Sequence, residues 1–257
     1  MSSPPPAREL FVATRDRLIA AGCVAADAEA DLLLASGPDA ATLESWLRRR
    51  EDGEPLVWIV GAMTFCGRSL RVMDGVYVPR LQTEALAQRA AAVLPDGGRA
   101  LDLCTGAGAI AAHLRAEVPS ALVLGIDLDE RAVACARRNG IPALVGDLAG
   151  ALHADATFDV VTAVAPYVPT DDLRLLPRDV QRHEPPLALD GGGDGLDLVR
   201  RVVADAGRVL RPGGMLLTEI GGVQDTLLRP ALTDAGFADV EPWHDEDGDL
   251  RGVVARR

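Results

Sequence analysis

A glycine-containing turn between a predicted strand and a predicted helix is the first stretch whose residues could do chemistry. Leu101–Gly108 reads Leu-Asp-Leu-Cys-Thr-Gly-Ala-Gly, and its apolar start is typical of a buried strand. Gly106 and Gly108 lack a Cβ, so the backbone can approach a ligand closely. Asp127 follows Gly108 by 19 residues, at the end of the next predicted strand, where a carboxylate can accept hydrogen bonds from ribose hydroxyls. Together these features predict a site for a nucleoside cofactor.

Two nucleoside cofactors, S-adenosylmethionine (SAM) and NAD, are compatible with these features. NAD sites carry a third glycine in this turn, but the corresponding position here is Ala111, which favours SAM. Another acid, Asp147, follows Gly146 and a short predicted strand. A carboxylate at that place can accept a hydrogen bond from an adenine amino group. We therefore expect SAM, with NAD as the alternative.

The stretch Phe158–Pro169 predicts where a substrate meets that cofactor. Its β-branched run from Val160 to Val164 indicates a buried strand, which breaks at Pro166. Open α/β sheets bind ligands at the carboxyl ends of their strands, so Pro166 and Tyr167 are predicted to lie beside the cofactor.

A polar, glycine-rich loop, 183–195, follows that strand. We expect it to face the substrate, where Glu184 or His183 could bind an acceptor or transfer a proton. The other histidines, His113, His153 and His244, are expected on the surface.

Composition narrows the class of protein. The chain has 257 residues, of which 48% are apolar, enough for one large domain or a domain with a small lobe. The net charge of −12 argues against a nucleic-acid partner, which needs a basic face. The four cysteines form no CxxC pair, so neither a metal site nor a disulfide framework is predicted, and a reducing cytoplasm fits. No signal peptide or membrane span is predicted.

Hydrophobic periodicity predicts the architecture. Three amphipathic helices are expected near 7–21, 25–35 and 43–50, then a short helix ending at Gly61 and strands within 63–78. Strands and helices alternate after Arg99, which is typical of a doubly wound sheet. We expect an α/β fold with a seven-stranded Rossmann-like sheet. The predicted divisions are a helical substrate-recognition lobe at 1–60, a β-hairpin linker at 61–84 and a SAM-binding domain at 85–257.

With these stretches in view, the chain resembles the protein-(glutamine-N5) methyltransferases, the release-factor methyltransferases of bacteria. The resemblance covers nearly the whole length, and the glycine turn with Cys104 looks most like a divergent actinobacterial branch. The segments that carry it are Glu54-Pro-Leu, Phe65-Cys-Gly67, Val78-Pro-Arg-Leu-Gln-Thr-Glu84, Asp102–Gly108, Gly146-Asp147, Pro166-Tyr167, Glu184-Pro, Ala188–Gly192, Pro212-Gly-Gly214, Glu219-Ile-Gly221 and Gln224.

The resemblance implies the roles of individual residues. The acceptor slot and its catalytic surroundings would comprise Val164, Ala165, Pro166, Tyr167 and Glu184. The SAM-binding set would comprise Arg80, Thr83, Thr105, Gly106, Ala107, Gly108, Asp127, Leu128, Asp147 and Leu148. In the family signature Asn-Pro-Pro-Tyr, the Asn side chain and a backbone carbonyl accept hydrogen bonds from the acceptor nitrogen. Here the four positions read Val164-Ala-Pro-Tyr167, and valine has no side-chain acceptor.

Three hypotheses follow from that replacement. In the first, the protein is a SAM-dependent methyltransferase acting on a different, already nucleophilic acceptor, which could be a protein, a peptide or a small molecule. In the second, it methylates a release-factor glutamine through backbone carbonyls at Val164 or Pro166. In the third, it binds SAM or a partner without catalysis. An amide nitrogen is a poor nucleophile, so loss of the Asn should slow glutamine methylation by roughly 10- to 1,000-fold.

Overall fold

The structure, a computed structural model, describes residues 7–153 and 157–257. Its α-helices are α1 (Ala7–Ala20), α2 (Ala26–Ala35), α3 (Ala40–Glu51), α4 (Leu56–Val60), α5 (Glu84–Val93), α6 (Ala109–Glu117), α7 (Glu130–Arg138), α8 (Arg178–His183), α9 (Asp197–Val209) and α10 (Gln224–Asp234). Its strands are β1 (Ala62–Phe65), β2 (Arg68–Arg71), β3 (Arg99–Leu103), β4 (Leu122–Asp127), β5 (Ala143–Val145), β6 (Phe158–Ala163), β7 (Leu210–Glu219), β8 (Asp239–His244) and β9 (Leu250–Arg256). Short 3₁₀ helices cover Leu81–Thr83, Thr170–Leu175 and Pro186–Ala188.

Seven strands form one sheet in the order β5-β4-β3-β6-β7-β9-β8, which confirms the predicted fold class. The first five strands in this order, β5, β4, β3, β6 and β7, are parallel to one another. Strand β9 runs antiparallel to both β7 and β8. The parallel strands are covered on both faces, which explains their nearly continuous apolar sequences. Their carboxyl ends therefore meet at one edge, where Leu103, Asp127, Val145, Ala163 and Glu219 lie.

The two faces of the sheet pack separate hydrophobic cores. Side chains alternate along each strand, so Val160 belongs to one core and Val161 to the other. One core is completed by α5, α6 and α7, and the other by α9 and α10. The sheet is thus a rigid platform between two helical layers.

The first three helices have a core of their own. Leu18, Leu33 and Leu47 lie at its centre and are fully or almost fully buried. Around it, Arg17 pairs with Glu51 at 2.7 Å and Arg50 pairs with Glu29 at 2.7 Å. This cluster extends through α4 to Ile59. The division of the chain at 60 and 84 stays a prediction.

Two local expectations were wrong, and one helix was not predicted. Strand structure in 63–78 ends at Arg71, and the segment after the turn at Gly75, where Val76 N donates to Met73 O and φ is +77°, forms no further strand. His113 lies in α6 and is only 7% exposed, because α6 packs against the sheet. The loop after β6 contains α8, which the sequence pattern did not predict.

Within residues 7–153 and 157–257, no helix combines the length and apolar character needed to cross a bilayer.

Candidate functional site

The glycine turn after β3 places two glycines in different environments. Gly106 has φ +56°, and a Cβ there would meet no atom within 4 Å. It lines two of the three cavities described below. Gly108 has φ +80°, but a Cβ there would lie 3.1 Å from both Ala136 Cβ and Ile141 Cγ1. Gly106 therefore leaves room for a ligand, whereas Gly108 allows close packing of α6 and α7.

Asp127 is tied to the same turn. Its Oδ2 accepts a hydrogen bond from Gly106 N at 2.8 Å, and its Oδ1 accepts one from Asp129 N at 2.9 Å. These bonds fix the carboxylate, and each oxygen keeps a further lone pair. Burial raises the pKa of Asp127, although the two backbone N–H groups oppose that effect. The group is placed to accept hydrogen bonds from a ribose.

Gly106 and Asp127 line a mainly apolar cavity of about 180 Å³, which we call the larger cofactor cavity. Its walls include Gly106, Asp127, Leu128, Asp147, Leu148, Val164, Pro166 and Leu187. Asp147 is exposed and pairs with Arg201 at 2.7 Å. An apolar slot with a fixed carboxylate at its edge fits the adenosine part of SAM, because a base needs flat contacts and a ribose needs acceptors. The residues present therefore fit this cofactor.

Backbone strain accumulates beside this cavity. Cys104 and Leu148 are non-glycine residues with φ values of +56° and +50°, and both line the cavity. Such conformations cost about 1–3 kcal/mol each and persist only when the surroundings impose them. Burial also raises the pKa of Cys104, so this thiol stays protonated and uncharged.

A smaller cavity of about 40 Å³ continues inward from the turn. Thr83, Thr105 and Ala107, three residues of the predicted SAM-binding set, line it and are themselves buried. Sequence reasoning missed Asp102, which also lines it. Asp102 Oδ2 accepts from Thr105 Oγ1 at 2.6 Å, and its Oδ1 accepts from Thr162 Oγ1 at 2.7 Å.

Asp102 has the most perturbed carboxyl group of the turn. Burial raises its pKa to about 6, against the opposing effect of its two hydroxyl donors. Its position inside strand β3, immediately before the turn, was a usable signal in the sequence. The inner cavity is thus lined by a buried carboxyl group.

A third cavity, which we call the acceptor cavity after the predicted acceptor slot, has a volume of about 420 Å³. All four residues of the Val164-Ala-Pro-Tyr167 segment line it, together with Tyr77, Val168 and Leu176. Of the residues in the described ranges that line these three cavities, only Val164 and Tyr77 contribute to all of them. Val164 therefore lies where the three cavities adjoin. Tyr77 was not singled out in the sequence.

Arg80 lies in the acceptor cavity, whereas the resemblance had implied cofactor binding for it. Its Nη2 donates to Glu184 Oε1 at 2.6 Å, and its Cζ lies 4.9 Å from the centre of the Tyr77 ring. The Glu184 side chain is 1% exposed, and burial raises its pKa while Arg80 opposes that effect. Glu184 lines none of the three cavities, so here it acts by holding Arg80.

Buried Gln224 fixes the other side of the segment. Its Nε2 donates to Tyr167 O at 2.9 Å and to Asp194 O at 3.0 Å, and its Oε1 accepts from Gly221 N at 2.9 Å. Any Cβ at Gly195 would collide with Tyr167 O, so that glycine is required here. The glycine-rich loop is therefore anchored against the acceptor segment, and Tyr167 OH reaches Glu219 at 3.5 Å.

Comparisons with known proteins agree with this geometry. A family model described as a methyltransferase domain matches residues 100–186. Release factor glutamine methyltransferases from Geobacter sulfurreducens and Rhodospirillum rubrum are 36% and 37% identical, over 81% and 95% of this chain and 75% and 78% of their own. A 4-amino-L-phenylalanine/4-methylamino-L-phenylalanine methyltransferase from Streptomyces pristinaespiralis is 38% identical over 81% of this chain and 75% of its own.

Solved structures share the fold at lower identity. A ribosomal protein L11 methylase from Lactobacillus delbrueckii is 16% identical, with a TM-score of 0.53 over 73% of this chain and 85% of that one. A 16S rRNA methyltransferase from Thermus thermophilus, in complex with AdoMet and guanosine, is 21% identical, with a TM-score of 0.52 over 76% of this chain and 44% of that one. These likenesses show a methyltransferase fold.

Proposed function

Because this chain belongs to the release factor glutamine methyltransferase family, we propose that it transfers a methyl group from SAM to an amine nitrogen that is already nucleophilic. That the chain is a SAM-dependent methyltransferase follows from the family and the fold. The proposal concerns the acceptor, the residues that hold SAM and the cytoplasm as the place of reaction. Free Cys23, Cys66, Cys104 and Cys135 fit a reducing compartment.

The position of Val164 carries the proposal. Its side chain borders both cofactor cavities and the acceptor cavity, and it offers no hydrogen-bond acceptor. A carboxamide nitrogen shares its lone pair with the carbonyl group, so it must be oriented strictly before it can attack a methyl group. The lone pair of an amine is localised on nitrogen, so an amine needs less orientation by the protein before it attacks. An apolar wall at this point therefore suits an amine better than an amide.

Bound SAM supplies an electrophilic methyl group on a sulfonium sulfur. We expect Asp127 to hold the ribose, Leu128 and Leu148 to contact the base, Asp147 to accept from its amino group and Gly106 to leave room for the chain beyond the ribose. In the acceptor cavity, Pro166 and Tyr167 would hold the acceptor, whose nitrogen forms the new bond to carbon while the carbon–sulfur electron pair returns to sulfur. The methylated nitrogen then loses a proton to solvent.

The lining of the acceptor cavity indicates the kind of amine. Tyr77, Pro166, Tyr167, Val168 and Leu176 provide flat or apolar contacts, and Arg80 provides positive charge. A small amine on an aromatic ring that also carries a carboxylate would match both features. The name of the Streptomyces relative shows that one relative of this chain has an acceptor of this chemistry. Nucleic acid is a poor candidate, because the net charge is −12.

Glutamine methylation on a release factor is the second candidate, since most of the named relatives carry that activity in their names. It would use the backbone carbonyls of Val164 or Pro166 in place of the Asn side chain. The carbonyl of Tyr167 is already engaged by Gln224. In this candidate function the substrate is the one named for the relatives, but the acceptor nitrogen lacks the hydrogen bond to an Asn side chain. One such bond is worth about 0.5–1.5 kcal/mol.

The test compares two acceptor classes in one assay. Wild type, Val164→Asn and Val168→Asn are incubated with SAM and either amine probes, 4-amino-L-phenylalanine and benzylamine, or a release factor carrying Gly-Gly-Gln. Formation of S-adenosylhomocysteine and intact mass are measured. Val168→Asn is the matched control, because Val168 lines the acceptor cavity and neither cofactor cavity.

We expect wild type to methylate an amine probe, and Val164→Asn to lose at least about tenfold in that rate. Val168→Asn should change it less. Efficient methylation of the release factor by wild type, without methylation of either amine, would replace the proposal with the second candidate.

A further inference from the structure

Tyr77 lies with Val164 at the point where three cavities adjoin. Both residues line the larger cofactor cavity, the inner cavity and the acceptor cavity, so they mark the junction of the three. Val164 is apolar, whereas Tyr77 carries a phenolic hydroxyl. Of these two residues, only Tyr77 can offer an acceptor nitrogen a hydrogen bond from its side chain.

The backbone holds Tyr77 firmly in place. Its neighbours Val76 and Val78 are 1% and 7% exposed and belong to the core beneath α5 and α6. Trp58 Nε1 donates to Val76 O at 2.9 Å, which ties this segment to α4. A residue between two buried valines of an anchored segment has little freedom to turn away from the junction.

The ring is held as well. The guanidinium of Arg80 lies against it, 4.9 Å from the ring centre, and Glu184 holds that guanidinium at 2.6 Å. A cation against an aromatic face contributes about 0.5–2 kcal/mol, more when it is removed from water. The contact limits rotation of the ring.

The chemistry of the phenol suits an amine. Burial raises the pKa of Tyr77 to about 12, so the hydroxyl stays neutral at physiological pH and can both donate and accept. A neutral amine needs an acceptor for one N–H so that its lone pair is directed at the methyl group. A phenolic oxygen can provide this.

Resting on the proposed function, we infer that the Tyr77 hydroxyl orients the acceptor nitrogen, in the place of the side-chain oxygen that Val164 lacks. The acceptor is then an aromatic or benzylic amine that binds in the acceptor cavity with its nitrogen beside Tyr77. The nitrogen lone pair forms the carbon–nitrogen bond, the carbon–sulfur pair returns to sulfur, and the N–H proton leaves for solvent. Tyr77 directs the nitrogen and is not itself consumed or ionised.

The principal test removes the oxygen alone. Tyr77→Phe keeps the ring and its contact with Arg80, so SAM affinity measured by calorimetry and the unfolding midpoint should stay close to wild type. With 4-amino-L-phenylalanine or benzylamine, kcat/KM should fall at least about tenfold, in line with the loss of one orienting hydrogen bond. A purely structural role for Tyr77 would instead lower stability and SAM affinity together with kcat/KM.

A second readout needs no turnover. The chain contains two tyrosines, so 3-fluorotyrosine labelling gives two ¹⁹F signals, which Tyr77→Phe assigns. In the complex with S-adenosylhomocysteine, addition of 4-amino-L-phenylalanine or benzylamine should shift the signal of Tyr77. The absence of any shift with both probes, or an unchanged kcat/KM in Tyr77→Phe, overturns the inference.

The two proposals fail in different ways. If wild type methylates the release factor and no amine, the proposed acceptor class is wrong, and Tyr77→Phe is then measured on the release factor. A tenfold loss there, with unchanged SAM affinity, keeps Tyr77 as the group that orients the nitrogen. An unchanged rate there removes that role as well.

Discussion

Asp102 is the residue whose protonation should couple most directly to cofactor binding. It is buried, lines the inner cavity and has a pKa raised by burial to about 6. The native protein therefore holds this proton more tightly than the unfolded chain does. The stabilising contribution of the protonated form is complete below the unfolded value of 3.8 and is lost as the pH rises through about 6.

Binding of a positively charged cofactor beside Asp102 should favour its carboxylate over its protonated form. SAM has an ammonium and a sulfonium group, so its binding favours the carboxylate and releases a proton when the pH lies between about 4 and 6. Affinity should then rise by up to about tenfold per pH unit across that range and level off above pH 7. Calorimetry in buffers of different ionisation enthalpy measures both quantities. Asp102→Asn should flatten the slope, and Asp127→Asn is the comparison, because burial also raises the pKa of Asp127. An undiminished slope in Asp102→Asn would contradict the assignment.

The two glycines of the turn give a second prediction for single residues. Gly106→Ala adds a methyl group in open space, at a cost of about 1 kcal/mol for its φ of +56°. Because Gly106 lines both cofactor cavities, we expect that methyl group to obstruct SAM. SAM affinity should fall at least about tenfold with a small loss of stability. Gly108→Ala places its methyl group 3.1 Å from Ala136 and Ile141, so stability should fall more. Urea unfolding and calorimetry separate the two effects, and equal changes in both variants would refute the distinction.

At the level of elements, Gln224 connects the start of α10, the glycine-rich loop and the acceptor segment. Gln224→Ala leaves three partly buried backbone groups without this partner, which should cost about 2 kcal/mol in unfolding free energy. It should also raise KM for the acceptor, because Tyr167 loses its anchor, while SAM affinity stays within about threefold. Gln181 is the matched control, since its amide also donates to two carbonyls but is exposed to solvent. Gln181→Ala should cost less than about 1 kcal/mol, and a comparable loss in both variants would count against this role.

Elements with a local signal could be predicted closely. The helices expected near 7–21 and 25–35 are α1 and α2, and the short helix expected to end at Gly61 is α4, Leu56–Val60. Their periodicity and their flanking glycines or prolines are contained in the segment itself. In contrast, α8 is six residues long between Pro177 and Pro185 and has no amphipathic repeat long enough to detect. Strand structure was overextended to Val78, because Val72, Val76 and Val78 are buried by packing without pairing to a strand.

The site was predictable where its residues follow strand ends. Gly106, Asp127 and Asp147 were expected at one edge, and the structure brings them to one cavity. Contacts between distant segments carry no such signal. Arg80 and Glu184 are 104 residues apart, and their ion pair places Arg80 in the acceptor cavity. Tyr77 faces the junction because of how its segment packs, which the sequence pattern around it does not reveal.

For the whole molecule, the separate core of the first three helices bears on how the chain unfolds. Leu33 is fully buried in that core, whereas Leu114 is fully buried in the core formed by α5, α6, α7 and the sheet. Regions with separate cores commonly open independently, each with its own free energy. The acceptor and cofactor cavities are lined by residues from Gly75 onward, outside the core of the helical lobe.

Replacing one leucine in each core tests that independence. Leu33→Ala and Leu114→Ala each remove the same buried side chain from a helix, at a cost of about 2–5 kcal/mol. Leu33→Ala should speed hydrogen exchange in α1, α2 and α3 and leave SAM affinity within about twofold. Leu114→Ala should speed exchange across α6 and the sheet and weaken SAM binding, because α6 follows directly from the glycine turn. If Leu33→Ala speeds exchange in the sheet as strongly as in the helices, the lobe and the sheet unfold as one unit. In that case the helical lobe contributes to the stability of the methyl-transfer site as well as to any recognition of the acceptor.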